Sequence, residues 1–318
     1  MDAIWAITTY YNPASYKARR RNYELFRKNL GIPLLTVEMS TGCCFELTSE
    51  DAEILVKVSG GACLWQKERL LNVALDHLPP EVKNVCWVDC DVIFEDRNWA
   101  VEVVRELKLF HLVQCFTELV DLPEGIDDIA AAPVGGWEIT GRSIASLEKS
   151  GEWVEEDFVP STTRRFRQGL CGLAWAARRS LLERHRFYDA MIVGSGDRAL
   201  ACAAVGRPDD AIMTARMSPA RVEHYLRWAI PLQKEIDRAV GVRSGRLFHL
   251  WHGSIANRRY LERHEMLASL NFEPERDLVV SPGGAWQWNS NVSLELREAL
   301  ENYFSTRQED GAIQSIRS

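Results

Sequence analysis

Two acidic residues separated by a single cysteine, Asp89 and Asp91, follow an apolar run that starts at Asn84. The run resumes to Phe94 and is rich in valine and isoleucine, which is typical of a strand buried on both faces of an α/β sheet. Ligands of open α/β sheets bind beyond the carboxyl ends of such strands. Two carboxylates there repel each other and lose hydration, so they need a cation, usually a hard divalent ion that also binds substrate phosphates. The pair therefore predicts a metal and phosphate site.

Two later motifs favour this interpretation over a hydrated strand-to-turn junction, because an Asp-x-Asp triplet arises by chance about once in a chain like this. The segment from Gly194 to Asp197 combines glycines, which let a ligand approach the backbone, with an acid near a helix N-terminus. His249 and His252 follow a short apolar segment. Aspartate and histidine are compatible ligands of octahedral Mn²⁺ or Mg²⁺. For either histidine, a core residue that donates to a backbone carbonyl is the alternative.

The elements that must position these residues alternate along the chain. Apolar and periodic patterns predict strands at residues 3–9, 33–37, 84–94, 111–116 and 169–177, and helices at residues 14–30, 64–78, 99–108, 194–205 and 219–240. Alternation of this kind predicts an α/β fold in which helices cover both faces of a central, mostly parallel sheet.

Two regions depart from the alternation. Residues 119–168 contain several glycines and prolines and are predicted to be irregular, as an acceptor-binding insertion or lid. Residues 256–318 are predicted to form a helical C-terminal extension, with helices near 257–270 and 293–304, packed on a catalytic domain of residues 1–255.

The composition describes an ordinary globular chain of 318 residues with 46% hydrophobic content and a formal net charge of −7. There is no apolar run long enough for a membrane helix, and the N-terminus carries an acid where a signal peptide needs basic charge, so we expect a cytoplasmic protein. Positive charge is concentrated between Arg164 and Arg186, as a solvated helix face or as a basic surface beside a phosphate-handling site. The arginines of this segment are Arg164, Arg165, Arg167, Arg178, Arg179, Arg184 and Arg186.

Taken in order, residues 3 to 260 resemble a metal-dependent glycosyltransferase of the GT-A fold, similar to family 2. The resemblance rests on the loop Thr8-Thr9-Tyr10-Tyr11-Asn12-Pro13, the basic helix Gln66-Lys67-Glu68-Arg69-Leu70-Leu71-Asn72, the Asp-x-Asp strand, the Gly-rich acidic motif and the late histidine. It implies a Rossmann-like GT-A fold, Mn²⁺ or Mg²⁺, and a nucleotide sugar, expected to be a UDP-sugar, as donor.

The resemblance also implies roles for individual residues. Asp89 and Asp91 would bind the metal, with Asp89 also contacting the nucleoside, and His252 would be the late metal ligand with His249 as its substitute. The nucleotide would be bound by Thr8, Tyr10, Asn12, Lys67, Arg69 and Asp89. An aromatic platform for the base or the sugar is expected from Trp175 and Trp251.

Asp197 occupies the place of the acid that takes the acceptor proton in inverting members of the family, so an inverting transfer is expected. The usual Glu-Asp pair is replaced by Gly196-Asp197, which leaves a catalytic base, a sugar ligand and a helix N-cap open. The acceptor is expected to be a saccharide or glycan, or a hydroxymethylated base in DNA bound by the arginine-rich segment. A nucleotidyltransferase, disfavoured because residues 8–13 contain no glycine, and a non-catalytic nucleotide-binding module are the alternatives.

Overall fold

The computed structural model describes residues 4–134, 136–152 and 166–311. Its strands are β1 (Ile4–Tyr11), β2 (Leu34–Ser40), β3 (Ile54–Ser59), β4 (Asn84–Val88), β5 (Val92–Phe94), β6 (Leu112–Gln114), β7 (Glu118–Asp121), β8 (Gly141–Ser143), β9 (Arg167–Leu170), β10 (Ala174–Arg178), β11 (Val240–Val242), β12 (Arg246–His249), β13 (Leu278–Val280) and β14 (Trp286–Trp288). Its α-helices are α1 (Lys17–Leu30), α2 (Lys67–His77), α3 (Trp99–Glu106), α4 (Ile144–Ser150), α5 (Arg179–His185), α6 (Gly196–Ala204), α7 (Pro208–Thr214), α8 (Pro219–Ile236), α9 (Glu262–Ser269), α10 (Pro274–Asp277) and α11 (Leu294–Ser305).

The main sheet has seven strands in the order β11-β6-β10-β4-β1-β2-β3. Only β10 runs against its neighbours, since it is antiparallel to both β4 and β6 while the remaining neighbours are parallel. The predicted α/β fold with a mostly parallel central sheet flanked by helices is therefore confirmed. This arrangement places the carboxyl ends of β1 and β4 side by side, where a ligand site is expected.

Strand β4 explains why its sequence is apolar at every position. Val85 and Trp87 face the core that contains α2 and α6, whereas Cys86 and Val88 face the core that contains α1 and α3. All five residues of β4 are buried. Because successive side chains alternate between two covered faces, a continuous apolar run is the pattern that such a strand needs.

The apolar run that was predicted as one strand is interrupted at Asp89. After β4 the chain turns, and β5 joins a second sheet with the strand order β5-β12-β7-β8-β9. The amide of Asp89 donates to the carbonyl of Leu173 over 2.7 Å. The sequence does not mark this break because both pieces are buried.

Two other sequence predictions need correction. Residues 119–168 are not irregular throughout, because β8, α4 and part of β7 lie within them. Residues 135 and 153–165, which include Arg164 and Arg165, lie outside the described residues. Residues 169–177 form parts of β9 and β10 rather than one strand, with Leu173 at a φ of 79° between them. Strands of three to five residues are too short for an alternation pattern to separate.

The C-terminal residues fold back onto the first half of the chain. Helices α9 and α11 share an apolar cluster with Leu64, Ile192 and Val193. Farther on, the Asp310 carboxylate accepts hydrogen bonds from the amides of Lys17 and Ala18, the first residues of α1, over 3.0 and 2.7 Å. An acid at this position satisfies free amides at the positive end of the helix dipole. The domain boundary at residue 255 stays a prediction.

Among the described residues, none of the helices has the length and apolar character needed to cross a membrane.

Candidate metal and transfer site

The carboxyl ends of β1 and β4 open into a cavity of about 320 Å³. Its walls come from the exit of β4, the first turns of α2 and α6, the segment after β12 and the C-terminal residues. The predicted site residues that line it are Thr8, Lys67, Asp89, Asp91, Asp197, His249 and His252. Motifs that are far apart in the sequence therefore meet in one concave site, large enough for a small-molecule ligand.

On one wall, Asp91, His249 and His252 form a group that we call the metal triad. Asp91 Oδ2 lies 3.1 Å from His252 Nε2 and 3.8 Å from His249 Nε2, and the two Nε2 atoms are 3.1 Å apart. One potential ligand atom from each residue lies within 4.8 Å of the others. Asp91 Oδ1 is buried without a hydrogen-bond partner among the described residues. A buried oxygen in this state needs a compensating ligand, so the triad fits a metal ion.

Asp121 orients the first histidine of the triad. Strand β12 runs parallel to β7 with His249 opposite Asp121, and His249 Nδ1 donates to Asp121 Oδ1 over 2.9 Å. Although burial alone lowers the pKa of His249, Asp121 and Asp91 raise it to about 9. A carboxylate behind a histidine nitrogen fixes the tautomer that presents the other nitrogen to a metal.

Arg258 identifies the state of the second histidine. Its Nη2 donates to His252 Nε2 over 2.7 Å, so this nitrogen carries a lone pair. Burial and the neighbouring Arg258 hold the pKa of His252 well below its usual value. The Nε2 atom of a neutral imidazole is a normal metal ligand.

A second group in the cavity lining consists of Lys67, Asp89 and Asp197, and we call it the lysine cluster. Lys67 Nζ lies 2.5 Å from Asp89 Oδ1 and donates to Asp197 Oδ1 and Oδ2 over 2.9 and 3.1 Å. Despite its burial, the two carboxylates raise the pKa of Lys67 well above its usual value. Burial raises the pKa of Asp89 to about 6, with Lys67 opposing and Asp197 adding to that shift. Asp89 is thus paired with a lysine and is not part of the metal triad.

Glu68 packs beneath this cluster against Gly196. A Cβ atom at residue 196 would lie 2.2 Å from Glu68 Cδ, so any residue larger than glycine would require the Glu68 side chain to move. Burial and the nearby Asp197 raise the pKa of Glu68 to about 8. The close approach brings the first turns of α2 and α6 together, which is how Lys67 and Asp197 come within contact distance.

The turn into α6 is backbone-strained. Gly194 has a φ of 92° and Ser195, the N-cap residue, has a φ of 77°. The Ser195 hydroxyl accepts a hydrogen bond from Arg263 Nη2 over 3.0 Å and lies 2.9 Å from His264 Nε2. Since Ser195 occupies the N-cap, Asp197 is not the helix cap that the sequence left open. Its carboxylate lines the cavity, where Lys67 holds it.

The other polar residues predicted to bind a nucleotide lie outside the cavity lining. Tyr10 and Asn12 both donate to the carboxylate of Glu46, over 2.5 and 2.9 Å. Arg69 donates to Asp189 over 3.1 Å. These contacts give each side chain a structural partner, and their assignment to a nucleotide stays a prediction.

The predicted aromatic platform is also displaced from the cavity. Trp175 is buried and its indole N–H donates to the carbonyl of Cys171 over 2.7 Å. Trp251 lies beside Gly311, outside the lining. The aromatic rings that line the cavity include Trp65 and Trp87, and Trp87 stacks on Trp175 with ring centroids 6.5 Å apart.

The described arginines of the basic segment are occupied by the protein itself. Arg178 donates to the carbonyls of Leu107 and Lys108, Arg179 pairs with Glu183, Arg184 with Glu235, and Arg186 with Asp76. Arg167 differs, because it lines the cavity and pairs with Asp121. The segment therefore spreads over β9, β10 and α5 and its charges are largely matched.

The sequence patterns did not identify Asp121 or the C-terminal residues as parts of the candidate site. Asp121 ends a short strand, Glu118–Asp121, as Asp89 follows β4, and an acid at a strand end was the available signal. Glu309 is buried in the cavity wall, where Arg19 Nε and Nη2 bind its carboxylate over 2.5 and 2.7 Å. Arg307 lies over the Trp65 ring at 5.2 Å. A local sequence pattern cannot predict the contact between Arg19 and Glu309, which are 290 residues apart in the chain.

No family model matches this chain, and no curated protein matches it. Solved structures do show a distant likeness. A glucosyl-3-phosphoglycerate synthase from Mycobacterium tuberculosis, in complex with Mn²⁺, UDP and phosphoglyceric acid, is 14% identical with a TM-score of 0.38 over 92% of this chain and 88% of that chain. The catalytic domain of Drosophila β1,4-galactosyltransferase 7, in complex with xylobiose, is 8% identical with a TM-score of 0.37 over 94% of this chain and 98% of that chain.

A third solved structure shows a similarly distant likeness. The 4-diphosphocytidyl-2C-methyl-D-erythritol synthase from Anaerococcus prevotii is 11% identical with a TM-score of 0.35 over 77% of this chain and 87% of that chain. These likenesses are too distant to carry a role from any of the three proteins to this chain.

Proposed function

We propose that this protein is a divalent-metal-dependent glycosyltransferase of the GT-A type, which transfers a sugar from a nucleotide sugar, a UDP-sugar, to an acceptor hydroxyl. The observation that carries the proposal is that the metal triad and the Lys67-held Asp197 line the same cavity. A transfer of this type needs a cation for the leaving diphosphate and a base for the attacking hydroxyl.

Asp91, His249 and His252 would hold the metal ion, and Asp121 would orient His249. When bound, the metal ion would supply positive charge to a leaving diphosphate. Two imidazoles among the ligands favour Mn²⁺ over Mg²⁺, whose ligands are normally oxygens. Asp89, paired with Lys67, is assigned to the nucleoside side rather than to the metal.

Asp197 is the proposed general base. The acceptor O–H bond breaks as the proton passes to Asp197, the acceptor oxygen forms a bond to the anomeric carbon, and the bond from that carbon to the diphosphate oxygen breaks with its electron pair leaving on the nucleoside diphosphate. Lys67 donates to both oxygens of Asp197 and holds it in place. Attack from the face opposite the leaving group inverts the anomeric centre.

The primary experiment is calorimetric titration of UDP into the protein with and without Mn²⁺. We expect binding with Mn²⁺ and its loss in Asp91→Asn, by more than about 100-fold, since even outer partners of metal ligands cost 10–100-fold when replaced. Asp209→Asn, at an exposed position on α7, is the matched control. Equal UDP affinity in Asp91→Asn and the unmodified protein would remove the metal assignment.

The products decide between the proposal and nucleotidyl transfer. A panel of UDP- and GDP-sugars incubated with Mn²⁺ should release nucleoside diphosphate, and the proton NMR spectrum of the glycoside should show an inverted anomeric centre. Release of pyrophosphate from a nucleoside triphosphate, with nucleotide sugars untouched, would establish nucleotidyl transfer instead.

A further inference from the structure

Two arginines after β12, Arg258 and Arg263, line the cavity without a carboxylate partner. Among the described residues, neither has an Asp or Glu oxygen within salt-bridge distance, and the Nε atom of each is buried without a hydrogen-bond partner. Arg263 is 6% exposed. Arginines in this state are costly, because a buried charge is normally paired with an opposite charge. Asp91 and Glu309 act on Arg258 from beyond salt-bridge distance, so Arg263 is the clearer sign of a missing anion.

Tyr260 lies between these two guanidinium groups. Arg258 Nη1 donates to the Tyr260 hydroxyl over 3.2 Å, and the guanidinium of Arg263 stacks over the Tyr260 ring at 4.8 Å. Burial alone raises the pKa of Tyr260, yet Arg258 and Arg263 lower it to about 8. The tyrosine thus reports a strongly positive potential in this corner of the cavity.

Position separates the two arginines. Arg258 touches the metal triad, because its Nη2 donates to His252 Nε2 over 2.7 Å, whereas Arg263 lies on the side of Asp197. Arg263 Nη2 is hydrogen-bonded to Ser195, two residues before Asp197, and both Ser195 and Asp197 line the cavity. The donor diphosphate belongs at the metal triad, beside Arg258. A bound divalent cation, Asp91 and a nucleotide-sugar diphosphate with about two negative charges leave about one negative charge in excess, which Arg258 matches, so Arg263 is left without a negative partner from the donor.

We propose that Arg263 and Tyr260 bind a negatively charged group of the acceptor, a phosphate or a carboxylate, while the hydroxyl of the same molecule lies at Asp197. The inference rests on the proposed glycosyl transfer and names its acceptor class: a small anionic alcohol or sugar. Planar guanidinium groups suit both anions because they donate paired hydrogen bonds. The bonds made and broken are those of the proposed transfer, and the anion remains unchanged.

The test uses the unmodified enzyme with Mn²⁺, a donor sugar that it hydrolyses, and matched acceptors: glucose, glucose 6-phosphate and glucuronate, then glycerol, glycerol 3-phosphate and glycerate. We expect kcat/KM for the charged member of each set to exceed that of the neutral member by more than about 100-fold, as for sites with polar groups that the analogue leaves unpaired. Comparison of the phosphate and carboxylate members identifies the anion. Equal use of neutral and charged members overturns the inference, as does transfer only to hydroxymethylated DNA.

Arg263→Gln should reduce the charged-to-neutral ratio by at least about tenfold, and Arg263→Lys should restore part of it, because it keeps the charge but loses the planar fork. Arg276→Gln, on the exposed side of α10, is the control that should keep the ratio. An unchanged ratio in folded Arg263→Gln contradicts the assignment. If that variant does not fold, the ratio measured with the unmodified enzyme decides.

A readout without catalysis separates this inference from the proposed function. Inorganic phosphate alone should raise the melting temperature of the unmodified protein and raise it less for Arg263→Lys. If UDP and Mn²⁺ bind and the donor is hydrolysed but no charge preference appears, only the acceptor inference fails. If neither UDP nor any nucleotide sugar binds, the proposed function itself fails.

Discussion

The two walls of the cavity hold acids in opposite ways. The lysine cluster contains its own cation, since Lys67 contacts both Asp89 and Asp197. In the metal triad, the partners of Asp91 among the described residues are two histidines, and no described lysine or arginine lies within salt-bridge distance of it. The first wall therefore already holds a cation of the protein, whereas the second has room for a cation from solution. The walls also differ in construction, because helix N-termini carry the first and strand ends the second.

Among the variants that separate the two walls, removal of the proposed base in the lysine cluster should have the largest effect. Asp197→Asn should lower the rate of transfer by about 10²- to 10⁴-fold, the usual contribution of general base catalysis, while Mn²⁺-dependent UDP binding persists. Single-turnover kinetics with a saturating acceptor measures the loss. Asp209→Asn serves as the exposed control. Loss of UDP binding together with the rate would show that the two walls are not separable.

Removal of the support behind the metal triad should have the next largest effect. Asp121→Asn leaves the ligands in place but weakens the orientation of His249, so Mn²⁺ affinity should fall by about 10- to 100-fold. Calorimetric titration of Mn²⁺ gives the dissociation constant directly. Glu118→Gln, on the same strand and outside the triad, should bind Mn²⁺ normally. A normal affinity in Asp121→Asn would mean that His249 is not a ligand.

The internal cation of the lysine cluster can be removed with little change in side-chain length. In Lys67→Met the pKa of Asp89, about 6 in the presence of the lysine, should rise by one unit or more, because an opposite charge nearby typically lowers a carboxyl pKa by about 1–3 units. The acid limb of kcat/KM against pH should move to higher pH by the same amount. Lys83→Met, at an exposed position, should leave the limb in place. An unmoved limb in Lys67→Met would indicate that Asp89 need not be ionised.

The smallest expected effect concerns a third histidine, His264, which lies outside the metal triad and changes how stability depends on pH. His264 is buried beside Ser195 without a carboxylate, and burial with nearby Arg263 lowers its pKa from 6.5 to about 2. Below pH 6.5 the unfolded chain binds a proton that the folded protein does not, so stability falls as pH falls from about 6.5 toward 2, at up to about 1.4 kcal/mol per pH unit. Urea denaturation of His264→Gln between pH 7.5 and 5.5 should show a flatter dependence.

His77→Gln is the control for that measurement, because His77 is exposed on α2. Its urea midpoint should follow the pH dependence of the unmodified protein. A His264→Gln variant with the same dependence as both would show that His264 takes up its proton in the folded state.

The sequence was most informative where chemistry follows a buried strand or opens a helix. Asp89, Asp91 and Asp197 stand at such junctions, and the strong apolar pattern of β4 and α2 places them. Only the metal triad required knowing that β12 lies beside β5 and β7, since sequence patterns alone did not choose between His249 and His252. Both histidines belong to the group that could hold a metal ion.

The sequence could not predict hydrogen-bond partners that lie far away along the chain. Tyr10, Asn12 and Arg69 sit in motifs that suggested a nucleotide, yet Glu46 and Asp189 occupy their polar groups. The reverse holds for Glu309, which looks like an ordinary surface acid in the sequence and is buried by Arg19. Hydrogen-bond partners depend on tertiary neighbours, and periodicity carries no information about them.

The contact between Arg307 and Trp65 has an optical consequence. The guanidinium lies 5.2 Å from the centre of an indole ring that also lines the cavity. Indole emission responds to nearby charge and to water, so any displacement of the C-terminal residues would alter the fluorescence of Trp65. The difference spectrum between the protein and a Trp65→Phe variant isolates that signal. The fluorescence of Trp65 can therefore be used to monitor whether the cavity is occupied.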